Sequence, residues 1–243
     1  MRLVVTGATG YLGSELVRSS GASGVSSRDF DVRDAAAAAR AIDGFDAVVH
    51  TAYRQDSPDA WPVNVDGSRN VARAARGARL VHVSTDVVFD GTLGRPYTED
   101  DEPSPGSDYG RSKAAAEEAV RQEHPAALIV RTSLLYGGRT PSKHELAAFD
   151  PALTFYEDEL RNPVHVADLA SALLELAGGD TTGILHVAGP DAVSRCEFAR
   201  LIARAPVRCA PAPPGRPLDC RLDSSRAESL LRTRVRGVRQ VLR

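Results

Sequence analysis

The sequence predicts an α/β protein, a Rossmann-type doubly wound parallel sheet with a small C-terminal substrate lobe. Two observations carry the prediction. Short apolar, β-branched runs alternate with helical patterns along the 243 residues, as in a parallel sheet covered on both faces. The run Val4-Val5-Thr6 leads into Gly7, Gly10 and Gly13, after which helical spacing resumes, so the glycines occupy a strand-to-helix turn. A chain of this length suits one such domain with a small lobe appended.

Taken in order, the strands are expected at Arg2–Thr6, Gly24–Ser27, Asp46–Thr51, Arg79–Thr85, Ala127–Thr132 and Ile184–Ala188. Helices are expected near Leu12–Ser19, Ala35–Ile42, Asp59–Arg76, Tyr109–Glu123, Val166–Leu176 and Ser194–Ala203. Asp34 precedes a run of alanines and is a natural N-cap for that helix. Three breaks interrupt the alternation. Residues 91–108 are rich in Gly, Pro, Ser and acidic groups and read as a loop; 137–160 has no strong period; 206–221 carries five prolines, which argues against regular structure. The last two breaks, with a short helix after Asp223, assign 137–160 and 191–243 to the small lobe, and 1–136 with 161–190 to a dinucleotide-binding domain.

A formal net charge of −2 argues against a nucleic-acid or membrane partner. No apolar run approaches a membrane span, and a strand beginning at residue 2 leaves no room for a signal peptide, so a cytoplasmic location is expected. Cys196, Cys209 and Cys220 are odd in number and lack zinc-type spacing, which predicts free thiols. The six scattered histidines show no paired-ligand spacing, and no metal site is expected. Five arginines between Arg232 and Arg243 read as a solvated face.

Two patterns carry chemistry. The glycine turn is either a tight structural turn or a pyrophosphate cradle, since glycine lets a ligand approach the backbone and a helix N-terminus attracts an anion. Strand Arg79–Thr85 brings Ser84 and Thr85 to a carboxyl edge, where ligands bind in such sheets. Tyr109 and Lys113, at i and i+4, share a helix face; they are either a solvated pair or a phenol whose proton transfer is assisted by a neighbouring ammonium. At the end of the second strand, Ser26-Ser27-Arg28 stands where an NAD-specific protein usually places a carboxylate. Arg28 and the serines suit a 2′-phosphate, so NADPH is expected in preference to NADH.

In combination, Thr6-Gly7-x-x-Gly10-x-x-Gly13, Ser84-Thr85 and Tyr109-x-x-x-Lys113 resemble the extended short-chain dehydrogenase/reductase family. The stretch Val83-Ser84-Thr85-Asp86-Val87-Val88-Phe89-Asp90-Gly91 resembles the dTDP-4-dehydrorhamnose reductase subfamily, as do Val63–Ala72, Arg131–Gly137, Asn162–Ala170 and Arg216-Pro217. The resemblance implies reduction of a nucleotide-linked 4-keto-6-deoxysugar, a dTDP-sugar above all, by hydride delivery to C4. Tyr109 would donate the proton, Lys113 would bind the nicotinamide ribose, and Thr85 would hold the carbonyl oxygen. Gly7, Thr9, Gly10, Tyr11, Leu12 and Gly13 would cradle the cofactor, with Ser27, Arg28, Asp31 and Val32 toward its adenosine and Thr51, Ala52 and Tyr53 toward its nicotinamide. Asp86, Val87, Arg161, Asn162 and Arg216 would meet the substrate. A homodimer stays open. The chain departs from the subfamily at Glu159-Leu160-Arg161, at Asp219-Cys220 and in a short 139–157 segment. These departures leave two alternatives: a cofactor-binding regulatory or scaffold subunit, and a reductase or epimerase of a smaller keto compound. Dehydration is disfavoured because Val87 cannot act as a base.

Overall fold

The computed structural model describes residues 1–55 and 57–243. In chain order the elements are β1 (Leu3–Thr6), α1 (Tyr11–Ser20), β2 (Ser23–Val25), α2 (Ala35–Ile42) and β3 (Ala47–His50). A π-helical turn (Pro62–Asp66) then runs into α3 (Gly67–Ala74), followed by β4 (Arg79–Thr85), a 3-10 turn (Asp86–Val88), α4 (Asp108–Glu123) and β5 (Leu128–Thr132). Next come β6 (Leu135–Tyr136), α5 (Lys143–Ala148), β7 (Thr154–Tyr156), β8 (Leu160–Arg161), β9 (Val164–His165), α6 (Val166–Ala177) and β10 (Gly183–His186). The chain closes with β11 (Val193–Ser194), α7 (Arg195–Ala203), β12 (Arg208–Ala210), α8 (Ser225–Leu230) and α9 (Val238–Val241).

Six strands form one parallel sheet in the order β10-β5-β4-β3-β1-β2. Side chains alternate across it. Val5, Val49, Val81 and Val130 face Leu12 and Leu16 of α1 and Leu169 and Leu173 of α6. Val4, Val48, Leu80 and Ile129 face Ile42, Val71, Ala72 and Val120 on α2, α3 and α4. Each fully buried aliphatic side chain contributes up to about 1.5–3 kcal/mol, so both faces of every central strand hold a helix layer in place. The order in which strands are added reverses between β1 and β3, and a ligand crevice belongs at that switch point, outside the carboxyl ends.

Each expected strand forms, shortened or shifted by a residue or two, and Asp34 caps α2 through the amides of Ala36 and Ala37. The helix expected over Asp59–Arg76 is instead split, because Pro62 opens a π-helical turn before α3. That turn aims Asn64 inward: it accepts from the Arg54 amide (2.7 Å) and donates to the Arg54 carbonyl (2.9 Å) and Ser112 Oγ (2.9 Å), fixing the loop after β3 against α4.

The lobe is more ordered than composition suggests. Ser142 and Glu145 form a capping box that starts α5. Despite the prolines around it, Arg208–Ala210 pairs in parallel with β7, correcting the expectation of no regular structure in 206–221; the prolines flank the strand rather than interrupt it. Cys196 and Cys209 are also not free thiols: they form a disulfide joining α7 to β12, and only Cys220 is a free, buried thiol. The C-terminal arginines are not merely solvated. Arg236 pairs with Asp168 on α6 (2.7 Å) and Arg239 with Glu197 on α7 (2.7 Å), strapping the tail across both helices. Leu222, Ala227 and Leu231 join the main core rather than the lobe. Among the described residues, no helix is long and apolar enough to cross a membrane.

Candidate active site

A cleft of about 790 Å³ opens along the carboxyl ends of β1, β3, β4 and β5 and is closed from above by α5, the start of α7 and the segment around Arg216. The glycine turn forms one end. Gly7 has φ +76°, and a Cβ there would stand 2.7 Å from the Ala52 amide; a Cβ on Gly13 would stand 2.2 Å from the Gly7 carbonyl oxygen. Neither position accepts a side chain without moving backbone, so the turn and α1 meet as closely as backbones can. Gly10 is the N-cap of α1 and supplies no side-chain cap. The open helix end and the bare glycine surface fit a dinucleotide pyrophosphate.

On the opposite wall stand Thr85, Tyr109 and Lys113, together with Asp86 and Val87. Ser107 caps α4 by accepting from the Gly110 amide (3.1 Å), which sets the start of the helix and puts Tyr109 at the mouth of the cleft. The Tyr109 ring lies 5.8 Å from that of Tyr53. Lys113, one turn further in, is buried and donates to the Val83 carbonyl oxygen at 2.8 Å. Burial brings its ammonium down to about 8, against the opposing pull of the nearby Glu117 carboxylate. Thr85 ends β4 with its hydroxyl on the cleft side, 3.3 Å from Asp86 Oδ1. Buried Asp86 accepts from Ser133 Oγ at 2.6 Å; burial raises its pKa, with the Arg161 guanidinium and Ser133 opposing.

Successive residues of a strand point to opposite faces, and Ser84 illustrates it. Its hydroxyl donates to Glu117, which is buried and held by Arg131 Nη2 at 2.8 Å. This Ser84–Glu117–Arg131 cluster braces β4, α4 and β5 directly behind the reactive groups. Glu117 escaped the sequence reading, although it continues the Tyr109–Lys113 face of α4 at i+4.

The remaining expected residues divide. Gly10, Tyr11, Leu12, Gly13, Thr51 and Tyr53 line the cleft, whereas Gly7, Thr9 and Ala52 do not, Thr9 being exposed on the turn. Thr51 Oγ1 donates to the Thr6 carbonyl (2.8 Å), tying β3 to the turn. Ser27 and Arg28 are exposed on the turn after β2, and the Asp29 carboxylate is drawn back to accept from Ser26 N (2.7 Å) and Oγ (2.9 Å). Asp31 pairs with Arg33 (2.6 Å), and Val32 packs against Gly67. Asn162 is buried and does not line the cleft: it donates to the Gly189 carbonyl (3.0 Å) and accepts from the Leu222 amide (3.0 Å), clamping these two backbone segments together.

The lobe side of the cleft gathers charge. Arg161 lines it, but its guanidinium is occupied by the carbonyls of Leu160, Pro217 and Leu218. Arg216 pairs with Glu159 (2.8 Å) and lies over the Tyr156 ring. Arg195, which no local pattern singles out, stands 4.0 Å from Glu159 and donates to His144 Nδ1 (3.3 Å). Burial, with the nearby Arg195 and Lys143 charges, brings His144 down to about 3, so the imidazole is a neutral acceptor. Arg195 Nη1 is buried with no hydrogen-bond partner among the described residues.

A doubly wound parallel sheet with a glycine turn on β1 and a Thr, Tyr and Lys wall at its carboxyl edge defines a Rossmann-type protein with a two-part cleft. The chain belongs to the family described as RmlD substrate binding domain, whose model matches residues 1–243. It is 40% identical over 225 residues to the dTDP-4-dehydrorhamnose reductase of Mycobacterium tuberculosis H37Rv, a match spanning 83% of this chain and 74% of that protein. The corresponding reductase of Mycolicibacterium smegmatis is 38% identical over 221 residues, spanning 82% and 67%. Among solved structures, dTDP-4-dehydrorhamnose reductase from Bacillus anthracis in complex with NADP superposes with a TM-score of 0.87 at 26% identity, covering 99% of this chain and 96% of that one. The reductase from Clostridium acetobutylicum superposes at 0.86 and 27% identity, covering 100% and 97%.

Proposed function

We propose that the protein is an NADPH-dependent reductase of a nucleotide-linked 4-keto-6-deoxysugar, a dTDP-sugar by analogy with the relatives. The observation that carries this reading is the convergence of Thr85, Tyr109 and Lys113 on one cleft whose far end is the glycine turn. NADPH, when bound, supplies the hydride that reaches C4. The turn from Gly7 to Gly13 takes the pyrophosphate, and Lys113 takes the nicotinamide ribose. Thr85 donates to the substrate carbonyl oxygen, and Tyr109 delivers the proton that the reduced oxygen needs. An ammonium on the same helix face favours the phenolate that remains, and a positioned acid of this kind is worth roughly 10²–10⁴-fold in rate.

Arg28 and Ser27, with the Asp29 carboxylate turned away, support NADPH over NADH, which remains the weaker cofactor. Arg216 and Arg195 face the cleft around Glu159 and suit a diphosphate. Residues 137–160 and 191–243 form the substrate lobe, anchored in the main core through Leu222, Ala227 and Leu231, and 1–136 with 161–190 form the dinucleotide domain; the protein acts in the cytoplasm. The test is NADPH oxidation with dTDP-4-keto-6-deoxysugars, the product identified by NMR as the 4-hydroxy sugar. Binding of NADPH and sugar nucleotide without turnover would instead favour the scaffold reading.

A further inference from the structure

Behind Lys113 lies a group that the proposed reaction does not use. His82, in the middle of β4, is fully buried, and its Nε2 stands 3.3 Å from Lys113 Nζ. Its other nitrogen, Nδ1, has no hydrogen-bond partner among the described residues. An aliphatic residue would fill this interior site without stranding a ring nitrogen, so packing alone does not account for an imidazole here.

We propose that His82 is a positioning residue for Lys113, its Nε2 lone pair and the Val83 carbonyl taking two of the three ammonium N–H bonds so that the third is directed into the cleft. The donor count supports this. An ammonium has three N–H groups and no acceptor; the Val83 carbonyl takes one at 2.8 Å and His82 the second, and the lysine lines the cleft with the remainder. For His82 to accept it must be neutral, and it is: burial, with the Lys113 and His50 charges, holds the imidazole well below its ordinary value. The groups facing the pair are His50 from β3, its ring centroid 5.2 Å from that of His82, and Glu117 from α4, while β5 presents the apolar Ile129 beside His82. His50 is itself held between Thr6 Oγ1 (2.6 Å) and Ser68 Oγ (3.0 Å), so it does not compete for the ammonium.

The consequence has a definite sign. A hydrogen bond accepted from the charged form favours that form. Without the acceptor at position 82 the ammonium loses its proton at lower pH, and the group rests on the reading of Lys113 as the ribose-binding lysine only for its effect on turnover. The sequence makes the measurement direct, because Lys113 and Lys143 are the only lysines in the chain. The full-length protein carrying Lys143→Arg and labelled with 13C-lysine gives one Cε resonance, whose titration is followed without ligand. Lys113 is expected to titrate near pH 8. His82→Leu should lower the midpoint by about one pH unit, a tenfold change in the protonation ratio, while His82→Gln, which keeps an acceptor, should restore most of it. The alkaline limb of kcat/KM should move with the resonance. An unchanged midpoint in His82→Leu, or an equal drop in His82→Gln, would overturn the proposal; if His82→Leu does not fold, the His82→Gln midpoint decides alone, because retention near the wild-type value is required. Full turnover by Tyr109→Phe would remove the reading of the site yet leave the NMR result standing, so the two fail separately.

Discussion

The two walls of the cleft are built by different means. The sheet wall rests on aliphatic side chains buried on both faces of β1, β3, β4 and β5. The lobe wall is short strands and helices held by Glu159 with Arg216 and Arg195, by a disulfide and by a tail of paired arginines. Close packing fixes atoms to within fractions of an ångström and tolerates little change. The Arg216 end of its pair with Glu159 is partly open, so that contact is weaker, screened by salt and easily re-aimed, although Glu159 and Arg195 beneath it are largely buried. The difference teaches a division of labour: the rigid wall holds the groups that must be placed for proton transfer, and the adjustable wall meets the part of the substrate that distinguishes one keto compound from another.

The largest expected effect tests the rigid wall. Tyr109→Phe should reduce turnover by roughly 10²–10⁴-fold with NADPH affinity near normal, measured by steady-state kinetics beside a fluorescence titration; an equal loss in both would assign the phenol to cofactor binding. Next is the brace behind it. Glu117→Gln removes one partner of the buried pair with Arg131 and strands a buried guanidinium, which should destabilise the fold by about 3–5 kcal/mol in denaturant unfolding. A loss below about 1 kcal/mol would show that the cluster is not structural.

The lobe is expected to respond differently. Cys209→Ser opens a loop of 13 residues of sequence separation, and chain entropy puts the loss near about 3 kcal/mol. Since the bridge joins the elements leading to Arg195 and Arg216, KM for the sugar nucleotide should rise while kcat and NADPH affinity hold. A fall in kcat alone would contradict the division of labour. Smallest is Arg28→Ala on the exposed turn after β2, expected to weaken NADPH by about 1–2 kcal/mol and leave NADH unchanged, read from paired cofactor titrations. Equal effects on both cofactors would remove Arg28 from the 2′-phosphate.

The same contrast explains what was legible in the sequence. β4 and α2 fall where periodicity and the Asp34 cap put them, because local pattern and burial agree there. Strand edge and helix face are local properties that made Thr85, Tyr109 and Lys113 candidates, the family resemblance gave them roles, and the fold brings them to one cleft. The residues that escaped depend on distant neighbours. Nothing near Cys196 signals Cys209, since the bridge exists only once α7 lies beside β12. Asn162 sits in a stretch resembling a substrate-contacting motif, yet Gly189 and Leu222 claim its amide. Arg195 acquires its setting from Glu159 and His144, which come from two other segments.

The central claim is that the lobe wall recognises a nucleotide diphosphate while the sheet wall carries out the reduction. It is tested most directly by comparing kcat/KM for a dTDP-4-keto-6-deoxysugar with that for the corresponding free keto sugar, at saturating NADPH. Binding energy from the remote diphosphate is used at the reacting centre, so the nucleotide-linked compound should be favoured by orders of magnitude. Equal efficiency on the free sugar would contradict the account.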